Sequence, residues 1–361
     1  MEKDRDVKKL IIALACIITV FLTCLNVYAG DRVINALLLP VVYTFFKDKE
    51  HDSTLNGHLV EIDLKNPKIK VGLALPRTSP NKQATVKSMA QSYNAIAAIN
   101  GSFFHGNAIP AAVGLIMFND EVITDSRHRR TSLGITNDNE IIIGIPKVTV
   151  WADLPEMGEN IRVSGVNQMR QYHQTIIYTP YFGKKTQTNI YGREVIIRHN
   201  RVIGYTCGDS AIPKDGFVIS IHGIGKEVVN RIPLGTTVKM KVDKLNEWSN
   251  VKTIITGGPH LVHKGKVYNT YFKEKMNPSL KYPNTRSAVG ITHNKKLLLL
   301  TVSGGVTYTR LAEILKRLGA VEAMGLDGGG STGLYLNGNI VNKDSYTSRP
   351  VSNALIVTIT K

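Results

Sequence analysis

Cysteine is nearly absent from this chain. Of three in 361 residues, Cys16 and Cys24 sit in an apolar N-terminal run and read as ordinary fillers. Cys207 would be left alone in a processed protein, which excludes an internal disulfide. Stability must therefore come from a packed core, which a chain this long with 43% hydrophobic residues can supply. Acidic residues are scarce as well, 28 against 45 Lys and Arg, for a formal net charge of +17. Such a balance concentrates anionic partners around a protein. Long single-sign runs are missing, so a solvated lysine-rich surface explains the charge equally well. No short repeat or low-complexity linker divides the chain. No His/Cys/Asp group has zinc-ligand spacing. The sequence thus requires no metal or other cofactor, and a structural divalent cation is left open.

The N-terminus predicts export. Lys8 and Lys9 close a charged segment, Leu10 to Leu25 form an apolar run, and Val27-Tyr28-Ala29 offers small residues where a signal peptidase cuts. Sixteen residues at about 1.5 Å each span about 24 Å, short of a hydrocarbon core of roughly 30 Å. A cleaved signal peptide is the reading, with an uncleaved anchor as the alternative. Without residues 1–29 the chain keeps 41 basic and 25 acidic residues, a net +16. Outside the cytoplasm such charge meets phosphate-bearing glycans and other anionic envelope polymers, not nucleic acid. Membrane contact is expected only through residues 10–25, and only if they stay attached.

The rest predicts one α+β, strand-dominated, mixed-sheet domain with few helices. Residues 30–50 read as a lead-in, with a helical apolar stretch from Ile34 to Phe46, and 51–361 as the domain itself. Strand-like runs bounded by Gly, Pro, Asn or Asp recur throughout. Two helices stand out. One carries Val86, Met89 and Tyr93 on a face; the other carries Leu311, Ile314, Leu315 and Leu318, with Gly319 as its stop.

Several loops carry candidate chemistry. Asn100-Gly101-Ser102-Phe103-Phe104 ends a small-residue strand with a polar amide. Gly101 permits a positive φ or a close backbone approach, although Asn-Gly is also the commonest tight turn. Asp327-Gly328-Gly329-Gly330-Ser331-Thr332 can turn backbone N–H groups and hydroxyls toward one anion beside a carboxylate. It is neither a P-loop nor a nucleophile elbow, and a structural glycine turn is its bland reading. Thr285-Arg286 places a planar fork suited to phosphate at a strand mouth, where a solvated edge arginine is the common case. Gly257-Gly258-Pro259 sets His260 beside a sharp turn, and Cys207 to Ser210 read as a turn.

The order of these motifs resembles the phosphodiester glycosidase family: NGSFF, GGPxL, TRSAVG, the second helix, LDGGGST, then Arg349-Pro350-Val351-Ser352-Asn353. That family includes the enzyme that uncovers mannose 6-phosphate by removing N-acetylglucosamine from a phosphodiester. The resemblance covers roughly residues 58–361. It implies hydrolysis of the bond between a sugar's anomeric carbon and a phosphodiester oxygen. Asp327, Arg286 and Asn100 would then be catalytic. Gly328, Gly329, Gly330, Ser331, Thr332, Thr285, Gly258 and Ser102 would bind substrate or phosphate. Two positions depart from the family pattern: Ser303-Gly304-Gly305 replaces Asp-Gly-Arg, and Gly325 replaces Asn. A non-catalytic binder of anionic glycopolymer and a phosphodiesterase cutting P–O are the competing functions.

Overall fold

The computed structural model describes residues 33–38 and 224 by backbone alone, and 40–77, 82–105, 112–126, 129–223 and 225–360 in full. The predicted signal segment, residues 1–29, lies outside the described residues. Strand dominates, with three α-helices among the described residues, and almost all strand pairing is antiparallel. One short parallel pair, Gly165 and Val166 against Ile176 and Ile177, is the exception.

An eight-stranded sheet runs in spatial order Val33–Leu38, Val41–Glu50, Ser53–Asp63, Lys296–Val306, Asn284–Thr292, Ala320–Gly325, His260–His263, Lys266–Val267. The first two strands fall where a helix was expected. Val41–Glu50 pairs residue for residue with Ser53–Asp63. Its β-branched and aromatic side chains fit a pleated surface, and a sheet edge awaiting a partner decided between two readings that apolar content leaves open.

Strand alternation divides the core. On Lys296–Val306, Leu297 and Leu299 face one hydrophobic cluster while Leu298 and Leu300 face another. The first cluster is shared with a five-stranded sheet through Ile99, Leu334 and Leu355, and with a second five-stranded sheet through Ile116, Leu133 and Ile255. The other face takes the helix Tyr308–Arg317 through Leu311, Ile314 and Leu315. That helix begins at Thr307, whose hydroxyl accepts from Arg310 N–H at 3.2 Å, and stops before Gly319 at φ +88°. The second five-stranded sheet is apolar on both faces. Met117 and Ile254 turn away from the first cluster into a third, which is built around Trp248 with strands from residues 148–242. No helix among the described residues is long and apolar enough to cross a membrane.

Leu311 is fully buried between helix and sheet. Leu311→Ala should cost about 2–5 kcal/mol and Thr307→Ala about 0.5–2 kcal/mol. Urea unfolding checks both, and a smaller effect at Leu311 than at Thr307 would show that the helix is not packed as described.

Candidate active site

Three strand ends meet at one place. Asn100 closes the strand Ala97–Asn100, Arg286 and Ser287 lie near the start of Asn284–Thr292, and Asp327 follows Ala320–Gly325. The Asn100 side chain is fully buried and joins all three. Its Nδ2 donates to the Asp327 carbonyl at 2.6 Å. Its Oδ1 accepts from Ser287 Oγ at 2.7 Å and from Gly333 N–H at 3.2 Å. The amide expected to be catalytic is thus taken up in holding the glycine loop. Gly101 next to it is a close-approach glycine, not a turn: a Cβ there would lie 1.9 Å from Asn353 Oδ1. Asn353 uses that oxygen to accept from Ser102 N–H at 3.0 Å.

Asp327 is a half-buried residue whose carboxyl is packed among protein groups. Burial pushes its pKa up to about 6, against the pull of the Ser331 hydroxyl, the Gly328 N–H and the Arg349 and Arg286 charges. Gly328 N–H donates to Asp327 Oδ1 at 3.0 Å. A Cβ on Gly328 would meet the Thr285 carbonyl at 2.7 Å, and Gly329 holds φ +58°. Both glycines are therefore required by geometry, one for space and one for backbone conformation.

Arg286 is almost wholly buried. Its Nη2 donates to the carbonyls of Leu280 and Tyr282, both at 2.7 Å, and its guanidinium lies 4.2 Å from the centre of the Tyr308 ring. Either planar fork of a guanidinium needs Nη2, so with both its protons engaged the bidentate grip expected of Arg286 is not available in this arrangement. Its charge acts instead on Tyr308 and Asp327. Burial first, and then Asp327, push the Tyr308 hydroxyl up to about 12 against the pull of Arg286 and Arg130, so it stays a neutral donor.

Buried polar atoms lacking a hydrogen-bond partner concentrate here. Among the described residues they include Ser102 Oγ, Arg286 Nε, Tyr308 OH and Thr332 Oγ1. Folded proteins rarely leave such groups unsatisfied, and several around one loop mark a surface built to receive polar atoms from elsewhere. Gly258 lines the approach: its N–H donates to Gly325 O at 3.0 Å, and a Cβ on it would strike Glu274 Oε2 at 2.5 Å. Sequence reasoning missed Tyr308, which looks like a helix-face residue, and Arg130, which belongs to no motif. Arg349 was visible only as part of a C-terminal pattern.

Both departures from the family pattern have local explanations. Gly325 has no room for a side chain, because a Cβ would sit 2.9 Å from Gly258 O and 3.1 Å from the Tyr308 ring. Ser303 Oγ donates to Asp344 Oδ2 at 2.6 Å, and Asp344 Oδ1 pairs with His58 Nε2 at 2.8 Å. A carboxylate thus reaches the Ser303 position from another segment.

The sequence profile of the phosphodiester glycosidase family matches residues 183–358. Over that stretch, just under half of its length, the chain is similar to the family. An uncharacterised protein of Rickettsia conorii is 26% identical over 227 residues, 59% of this chain and 77% of its own length. A hypothetical protein from Synechocystis has a similar fold, with a TM-score of 0.79 and 20% identity over 92% of this chain. The chain spans 64% of that protein's length. A protein from Burkholderia pseudomallei K96243, named as exported, aligns with a TM-score of 0.66 and 17% identity, covering 84% of this chain and 74% of its own.

The raised pKa of Asp327 implies a stability signature. The folded chain keeps this proton up to about pH 6, whereas the unfolded chain releases it near 3.8. Stability therefore falls as pH rises through that window, and above it the ionised carboxylate is a standing cost. Asp327→Asn should stabilise the protein at pH 7.5 by on the order of 1–2 kcal/mol, and the gain should vanish below about pH 4. Denaturant unfolding at the two pH values checks this, and a loss of stability at pH 7.5 would contradict it.

Proposed function

We propose that this protein hydrolyses the glycosyl C–O bond of a sugar-1-phosphodiester, in an envelope or extracellular polysaccharide reached by export. The observation that carries the reading is the partly exposed, proton-retaining Asp327 set among arginines and unsatisfied donors on a glycine loop. The match of residues 183–358 to the phosphodiester glycosidase family supports it. The name of the Burkholderia protein agrees with export.

The chemistry follows from charge. A phosphate monoester is a good leaving group, so its departure needs stabilisation of negative charge more than a strong acid. The Ser331 and Thr332 hydroxyls and the N–H groups of Gly329 and Gly330 serve that purpose. Arg286 and Arg349 supply the positive field, Arg286 from a fixed and buried position. Asp327, ionised above about pH 6, stabilises the oxocarbenium-like centre or activates its attacker. Asn100 acts as a positioning residue, holding Asp327 through its backbone carbonyl. The net +17 of the whole chain promotes encounter with anionic polymer.

Hydrolysis of a soluble N-acetylglucosamine 1-phosphodiester in ¹⁸O-labelled water tests the reading. Label in the sugar is expected. Label in phosphate would make the protein a phosphodiesterase, and no product would leave it a glycopolymer binder. Asp327→Asn should lower kcat by about two orders of magnitude or more, the scale of one lost electrostatic stabiliser. In the unmodified protein kcat should fall as pH drops through about 6 and Asp327 takes up its proton. An acid limb that survives in Asp327→Asn would assign it to another group.

A second prediction concerns encounter. Rising salt should lower kcat/KM more for a polymeric phosphodiester than for the small one. Equal sensitivity would exclude a long-range role for the charge.

A further inference from the structure

Sequence spacing gives no metal site, yet the fold assembles three good ligands away from the Asp327 loop. His260 and His263 lie on one strand, and Glu322 stands opposite His263 on its neighbour. The Glu322 carboxylate is 2.8 Å from His260 Nε2 and 3.0 Å from His263 Nδ1. All donor atoms of the three lie within 4.8 Å of one another. We propose that His260, His263 and Glu322 bind one divalent transition-metal ion, with zinc the natural occupant of this donor set.

Two imidazoles and a carboxylate suit zinc in chemistry and number, leaving a fourth position for water. Bonds of about 2.0–2.1 Å to a tetrahedral ion hold donors roughly 3.3 Å apart. The two present carboxylate contacts lie within about 0.5 Å of that spacing. The supporting shell is also in place. Lys264 N–H donates to Glu322 Oε1 at 3.0 Å and fixes the carboxylate. The Tyr268 ring lies 5.3 Å from the His260 ring and 5.2 Å from that of His263. His260 is buried, while the His263 side chain is 41% exposed and gives an ion a way in.

Of the two bridged strands, His260–His263 follows the Gly257-Gly258 turn and Ala320–Gly325 leads into Asp327. Occupancy would therefore fasten two walls of the candidate active site without entering its chemistry. The site is independent of the proposed hydrolysis and can be tested without it.

Tag-free protein, stripped with a chelator and dialysed, should be titrated with Co²⁺ followed by visible absorption, and with Zn²⁺ by calorimetry. One ion per chain is expected, together with a rise in Tm on Zn²⁺ addition. Glu322→Gln and His263→Ala should each weaken binding by more than the roughly 10–100-fold that supporting-shell changes cost. His173→Ala, at the separate His173–His222 contact, should leave binding unchanged. Absence of saturable binding, or binding that survives both ligand substitutions, would overturn the proposal. Should Glu322→Gln fail to fold by near-ultraviolet circular dichroism, His263→Ala decides, because its side chain lies at the solvent edge.

Discussion

The candidate site depends on one buried amide. Asn100 ends a strand of one sheet and hydrogen-bonds to Ser287 and Asp327 at the margin of another, while its second acceptor contact reaches Gly333 beyond the glycine loop. Sheets packed face to face on apolar side chains are held firmly but without directional bonds. Their ends would be free to shear by fractions of an ångström. A fully satisfied buried amide between them fixes that registry, because each lost bond would strand a polar atom in the interior at a cost of about 1–3 kcal/mol. The Asn353 contacts to Gly101 and Ser102 clamp the same strand end from the other side.

With the strand ends fixed, the loop can stay unsatisfied without losing its shape. The hydroxyls of Thr332, Ser102 and Tyr308 and the Nε of Arg286 lack partners within the fold. Together with a carboxyl whose ionisation burial opposes, they represent free energy withheld from stability. Arg286 shows how the two demands are reconciled. Its Nη2 is committed to the carbonyls of Leu280 and Tyr282 and its face to Tyr308, which locks a buried cation in place. The result is a fixed positive field at Asp327, gained by giving up bidentate ligation.

Much of this architecture was legible in the residues, for reasons that can be stated. Strands announced themselves through turn residues at their ends and apolar content between them, and the unbroken run Leu297 to Leu300 fits a strand buried on both faces. The helix from Tyr308 was legible from its 3.6-residue period and its glycine stop. The stretch from Ile34 to Phe46 was misread because apolar content without clear period cannot separate a helix from an edge strand whose partner is elsewhere. The Asp327 loop was visible because three consecutive glycines are costly without a purpose. What the residues do there was less visible. Asn100 and Arg286 have the right chemistry for substrate, but the Asn100 amide and the Nη2 protons of Arg286 are engaged by partners as far away in sequence as Asp327 and as near as Tyr282. Glu322 escaped notice beside His260 and His263 because strand pairing, not spacing, brings it there.

The two departures from the family pattern are best understood as parts of the packing around them. Gly325 is small because the Gly258 carbonyl and the Tyr308 ring press on it. An asparagine there would have to displace the ring that faces Arg286, and with it the surface on which the guanidinium rests. A change at 325 is therefore tied to the identities of residues 258 and 308. Ser303 is tied in the same way to Asp344 and His58, which form a polar chain ending at Tyr43 with a 2.8 Å contact. Moving a carboxylate from the strand to a neighbouring segment keeps its charge near the same place while freeing the strand position for a small residue. Ser303 thus keeps a carboxylate beside it through Asp344, and Gly325 is held small by its neighbours, so neither position can be read apart from the residues packed around it.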